Sequence, residues 1–138
     1  MIIRTAKFND VSKLTVHAYK LNEHYSNLGV TKGLFMPSPA HIAEKISDYI
    51  VAEVNGEVVA SIKCSVKDRI CTLSRLYVEE PFRGQRIGTS LMSYAIGKYK
   101  ARGCKDIRLV VRNLNGSVKK LYEKLGFVNE ATVMYYDK

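Results

Sequence analysis

The chain reads as a single-domain α/β protein, spanning residues 1–138, with a mixed, mostly antiparallel sheet that contains one parallel strand pair and is flanked by about four helices. Three observations lead there. Two apolar, β-branched runs flank Asn55-Gly56, a dipeptide that supplies the positive φ angles of a two-residue hairpin turn, and a third run at 71–78 extends the pair as an antiparallel meander. A strand at 73–78, a helix starting at Ile87 and a strand at 106–111 form a strand–helix–strand unit whose crossover makes the two strands parallel. Helical periodicity appears both before the hairpin and near the C-terminal end.

Taken in order, residues 2–4 form a short strand, and Asn9 or Asp10 caps a helix whose apolar positions are Val11, Leu14, Ala18 and Leu21. Residues 22–37 read as a loop or broken helix, followed by a second helix at 39–49. The hairpin strands run over 50–54 and 57–66, and the key strand stops at Pro81, which has no N–H to give a ladder. Ile87, Leu91, Met92, Ala95, Ile96 and Tyr99 then mark one face of a helix that ends near Gly103. After the strand at 106–111, Asn115 caps a helix carrying Val118, Leu121, Tyr122 and Leu125, with Gly126 at its C-terminal end. One or two strands close the chain near Tyr136.

The totals exclude several classes. A chain of 138 residues suits one domain with a substantial core, burying roughly two-thirds of its unfolded surface. At 46% hydrophobic and 25% charged it has a globular composition, and no apolar run approaches the ~18 residues of a spanning helix, so no membrane association is expected. The N-terminal residues lack the apolar core of a secretory signal, which points to the cytoplasm. Cys64, Cys71 and Cys104 form no C-x-x-C pair and read as free thiols, while His17, His24 and His41 have no metal-ligand spacing; no metal is expected. The net charge of +9 makes nucleic acid a candidate partner. RNA ranks low, because no aromatic and basic motif of an RNA-binding sheet is present.

Between the key strand and its helix lies Arg83-Gly84-Gln85-Arg86-Ile87-Gly88, two glycines and two arginines at a helix N-terminus. Unpartnered N–H groups, the positive end of the macrodipole and close backbone approach make such a loop an anion site. The Walker pattern needs Lys after its last Gly, but Thr89 follows here, and G-x-G-x-x-G is absent, so the loop suggests a pyrophosphate that belongs to neither ATP nor NAD.

This loop, after a strand ending Leu76-Tyr77-Val78, resembles the acetyl-CoA pyrophosphate loop of the GCN5-related N-acetyltransferase (GNAT) family, with pattern Arg/Gln-x-x-Gly-x-Gly/Ala. Arg83, Gly84 and Gly88 fit; Arg86 departs, standing where the central Gly belongs. The segment from Asn115 through Tyr122 to Gly126-Phe127 resembles the family's late motif, and Met134-Tyr135-Tyr136 its last strand. The resemblance implies a GNAT-like fold and acetyl-CoA as cosubstrate. It implies that Leu76, Tyr77 and Val78 line the pantetheine arm, that Arg83, Gly84, Gln85, Arg86, Ile87, Gly88 and Thr89 surround the pyrophosphate, and that Asn115 bonds the arm.

By the same resemblance an amine, on a small molecule or peptide, attacks the thioester directly. The backbone N–H near Leu76 serves the developing oxyanion, and Tyr122, with a reference pKa of ~10, protonates the leaving thiolate. The base is unassigned. A lysine-like amine of pKa ~10.4 costs about 4 to 5 kcal/mol to deprotonate at pH 7, yet the key strand has no carboxylate before Glu79, which lies past its end. Glu53 on a neighbouring strand and a water held by Ser74 are outside candidates. Residues 22–37 and 129–136, with Glu23, His24, Tyr25, Tyr135 and Tyr136, would shape the acceptor pocket. Late strands in such folds often pair between chains, which implies a homodimer. Two other readings stay open: an acetyltransferase of aminoacylated RNA, and an acyl-CoA-binding regulatory module with weak turnover.

Overall fold

The computed structural model describes residues 1–30, 33–111 and 116–129. Among them, β1 (Ile2–Thr5), β2 (Tyr49–Val54), β3 (Glu57–Lys67), β4 (Ile70–Val78) and β5 (Asp106–Leu109) stand in chain order in one sheet. β1 to β4 pair antiparallel, and β5 joins β4 in parallel, as the strand–helix–strand reading requires. Four helices, α1 (Val11–Asn27), α2 (Pro39–Glu44), α3 (Ile87–Ala101) and α4 (Gly116–Lys124), flank it.

Alternation along the strands splits the apolar side chains between two cores. Ile50 and Ala52 of β2 join Ile62, Cys64, Cys71 and Leu73 in one, which α3 closes with Ile87, Leu91, Met92, Ala95 and Tyr99. Tyr49 and Val51 face the other way, where Leu14 of α1 and Ile42 of α2 cover them. The hairpin turn has the expected left-handed pair, Asn55 at φ 51° and Gly56 at φ 78°.

The helices before the hairpin differ from expectation. α1 continues through Asn27, so 22–27 is helix and not loop. Tyr25 extends the stripe one turn beyond buried Leu21, and the helix stops only at Gly29, whose φ of 91° ends it. The second helix is shorter: Ser38 caps it by accepting from the His41 N–H at 3.1 Å, and a 3-10 turn at Ile46–Asp48 replaces its last part. Tyr49, expected as its final residue, begins β2 because its ring is needed in the core.

β4 departs from regular pairing at one place. Ser74 faces Lys63 and Tyr77 faces Ser61, so Arg75 and Leu76 together stand opposite Ile62. This is a β-bulge, and Arg75 takes its left-handed position at φ 56°, where glycine is usual. The Arg75 guanidinium donates to Asn22 Oδ1 at 3.2 Å, and the Asn22 amide donates to the Phe35 carbonyl at 3.0 Å, tying bulge, α1 and the following segment together. On its other edge β4 keeps β5 only as far as Leu73, whose carbonyl accepts from the Val110 N–H at 2.9 Å. β5 accordingly ends at Leu109, short of the expected Val111.

Replacing Leu91, fully buried where α3 meets the sheet, by Ala should destabilise the protein by about 2–5 kcal/mol in urea unfolding.

Candidate active site

The loop from Arg83 to Gly88 follows a 3-10 turn at Glu80–Phe82 and enters α3 with no side-chain cap. Gly84 has φ 78°, and an added Cβ would meet nothing within 4 Å. Arg86, at the position of the pattern's central glycine, has φ 63° and ψ 18°. That conformation is the physical reason glycine belongs there; the guanidine-bearing chain is carried outward and is exposed. The first bond inside α3 runs from the Ser90 N–H to the Arg86 carbonyl at 3.0 Å, so the N–H groups of Ile87, Gly88 and Thr89 precede the helical ladder and are available to an anion. A Cβ on Gly88 would lie 3.6 Å from Val78 and 3.7 Å from Leu76, in ordinary contact, so alanine would also fit where the start of α3 packs on β4. Gln85 donates back to the Pro81 carbonyl at 3.3 Å.

Arg83 is turned toward the strand. Its Nε donates to the Val78 carbonyl at 2.8 Å, and its guanidinium lies 5.5 Å from the Tyr77 ring centroid. The Glu79 N–H donates to Val59 of β3 at 2.9 Å, so alternation directs the polar groups of Val78, and of Leu76 before it, to the edge that β5 has left.

Tyr122, on α4, is 9% exposed in the same core as Ile87 and Leu91, with its ring 6.4 Å from Phe127 and nearly perpendicular to it. Burial, with the Tyr25 phenol nearby as a smaller cause, pushes its hydroxyl up to about 12. It is a protonated donor at neutral pH. Asn115, Tyr135 and Tyr136 lie outside the described residues.

On the opposite face of β4 an open cavity of about 460 Å3 lies between α1 and the strand's C-terminal end, where Glu23 and His24 from the expected acceptor segment meet Tyr77, Glu79 and Arg83. His17 also borders it. Its imidazole is 2% exposed, with Nδ1 2.8 Å from Ser61 Oγ and Nε2 2.8 Å from Glu79 Oε2. Burial holds its pKa below the ordinary histidine value, against the opposing pull of Glu79. Burial also works against the Glu79 carboxylate, but hydrogen bonds from His17 and Lys13 outweigh it and the carboxyl lies below the usual range.

The sequence reading missed His17 and set Glu79 aside as past the strand. The available signal was a histidine inside the apolar stripe of α1, between Leu14 and Ala18, where all neighbours on that face are buried. Glu53, by contrast, accepts from Arg4 at 2.9 Å in an ion-pair network with Asp10, on β2 and away from the cavity. Ser74 sits before the bulge and does not border the cavity.

Comparison with known proteins gives a consistent picture. Residues 16–127 match the model of the acetyltransferase (GNAT) family. An acetyltransferase of Pectobacterium atrosepticum is 40% identical over 79 residues, covering 57% of this chain and 56% of that one. The chain spans 56–63% of the length of such curated relatives. The PaiA N-acetyltransferase of Thermoplasma acidophilum, solved with coenzyme A, superposes with a TM-score of 0.80 at 20% identity over 96% of this chain and 92% of that one. An aminoglycoside acetyltransferase from an uncultured soil sample, solved with sisomicin, gives 0.72 at 16% identity over 99% and 95%. At these identities the two structures bear on the fold. No helix among the described residues is long and apolar enough to cross a membrane.

Two measurements check this geometry. Arg86→Gly should stabilise the fold by up to about 1 kcal/mol, because it removes a side chain from a left-handed position. Stability should also fall as the pH drops below 6.5: His17 is held neutral when folded and protonates first when unfolded. That part of the slope in pH-dependent urea titrations should disappear in His17→Gln.

Proposed function

The chain belongs to the acetyltransferase (GNAT) family, and on that premise we propose that it transfers an acetyl group from acetyl-CoA to a primary amine by direct attack on the thioester. The supporting observation is the parting of β4 from β5 after Leu73, which leaves the Leu76–Val78 edge without a strand partner among the described residues, beside an uncapped helix N-terminus. A strand edge without a partner suits an amide-bearing arm, which can add to it as a further strand would. Gly84, the left-handed Arg86 and the first N–H groups of α3 suit a pyrophosphate. These residues fit coenzyme A, whose thioester supplies the activated acetyl group.

The chain's own residues then divide the work. Leu76, Tyr77 and Val78 orient the arm, with the Leu76 N–H donating to the carbonyl oxygen as it gains charge. Arg83, Gly84, Gln85, Arg86, Ile87, Gly88 and Thr89 form the anion-binding turn, Arg83 acting through the Val78 carbonyl and the Tyr77 ring that it holds. Tyr122, kept protonated by burial, gives its proton to the departing sulfur. The amine approaches from the open cavity beside Tyr77 and loses one proton to its solvent on acylation, which balances the proton that Tyr122 gives to sulfur.

Titration calorimetry with acetyl-CoA tests the cofactor assignment. The intact protein should bind, and Arg86→Glu combined with Gly84→Val should weaken binding at least tenfold; an intact protein that does not bind overturns the reading. Tyr122→Phe should retain acetyl-CoA affinity while losing about 10²–10⁴-fold in turnover.

A further inference from the structure

One group in the cavity is not explained by packing. His17 occupies a core position of α1, and a polar ring there is tolerated only if its nitrogens are bonded. Both are, and what they hold is a carboxylate at the cavity wall. With Glu79 ionised, Nε2 carries the hydrogen and donates to it, and Nδ1 accepts from the Ser61 hydroxyl. Ser61 is 3% exposed, so its hydroxyl has no solvent to turn to and the tautomer is fixed.

The donors on Glu79 are unevenly placed. His17 and the Lys13 ammonium, at 2.8 and 3.1 Å, both reach Oε2. Oε1 has no recorded partner among the described residues, and the side chain is 26% exposed on the cavity side. Glu79 directly follows Val78, the last residue of the strand edge assigned above to the acyl-carrying arm. Lys13 also has a second carboxylate within reach, Glu57 at 3.9 Å, to which it can turn.

We propose, resting on the acetyltransferase reading above, that Glu79 Oε1 receives the ammonium group of the acceptor, which arrives as a protonated alkylamine and attacks after shedding one proton to the solvent of the open cavity, and that His17 is the positioning residue that aims this carboxylate. Lys13 competes for the same charge, so the cavity holds one cation in place of another. Neutral amines, such as arylamines, gain nothing from this site. Among the remaining charges of the cavity, Glu23 and Glu80 add to the attraction and Lys20 opposes it, while Arg83 is drawn back onto the Val78 carbonyl.

The test uses propylamine as the cation and propan-1-ol as its uncharged counterpart, titrated into the full chain while the Glu79 side-chain carboxyl carbon and the His17 ring nitrogens are followed by NMR. Propylamine alone should shift these signals. Glu79→Gln should weaken propylamine at least tenfold with acetyl-CoA affinity unchanged, and His17→Gln, which can still donate to Glu79, should lose less than His17→Ala. Lys13→Met, a partly exposed change that leaves the core untouched, should tighten propylamine severalfold, an effect that a merely structural Glu79 cannot produce. Equal response to amine and alcohol, an unaffected Glu79→Gln, or weaker binding in Lys13→Met would overturn the proposal. Absence of acetyl-CoA binding by the intact protein would instead overturn the acetyltransferase reading, and this one with it.

Discussion

β4 has two edges to satisfy and does so unequally. Its β3 edge is paired along nearly the whole strand, but β5 stays with it only through Leu73. The extra residue at Arg75, opposite β3, lies just beyond the point where β5 stops following the strand, and a bulge of this kind bends and twists the strand locally. Much of the site depends on that single accommodation. Beyond it the Leu76–Val78 edge has no strand partner among the described residues, and Ile87 at the start of α3 shares a core with the same two side chains. Backbone polar groups on such an edge need a partner or water, and the Val78 carbonyl finds one in the Arg83 side chain.

The strand's two faces are used differently. Leu76 and Val78 face α3 and the larger core, whereas Tyr77 and Glu79 face α1 and the cavity. The charged groups divide in a similar way. Arg4 joins Asp10 and Glu53 at the β1 side of the sheet, where the charges hold neighbouring elements together. At the cavity, His17 and Lys13 restrain Glu79 through one oxygen only.

Local chemistry was readable wherever one residue type decides the backbone. Asn55-Gly56 announced its turn, Pro81 the end of the strand, and the spacing of Ile87, Leu91, Met92, Ala95 and Tyr99 the buried face of α3. The turn into α3 was legible because two glycines and the start of an apolar period adjoin. What could not be read depends on contacts distant in sequence. The bulge at Arg75 follows from matching β4 to two partners, and an arginine there gives no hint of a left-handed φ. His17 and Ser61 are 44 residues apart, and His17 and Glu79 are 62 apart, so their union appears only when α1 is laid across β3 and β4. The length of α1 was misjudged because polar residues at 22–24 break the apolar run while Tyr25 continues it on the inner side.

The cysteines bear on how the molecule can be handled. Cys64 and Cys71 have no exposed surface, and burial lifts their thiols to about 12 and about 11, so both are shut off from electrophiles while the fold is intact. Cys104 is partly exposed, just beyond α3 and at the far end of that helix from the glycine turn. A maleimide dye or spin label would therefore attach at one place, away from the glycine turn, and the reactivity of the two hidden thiols would serve as an internal gauge of unfolding.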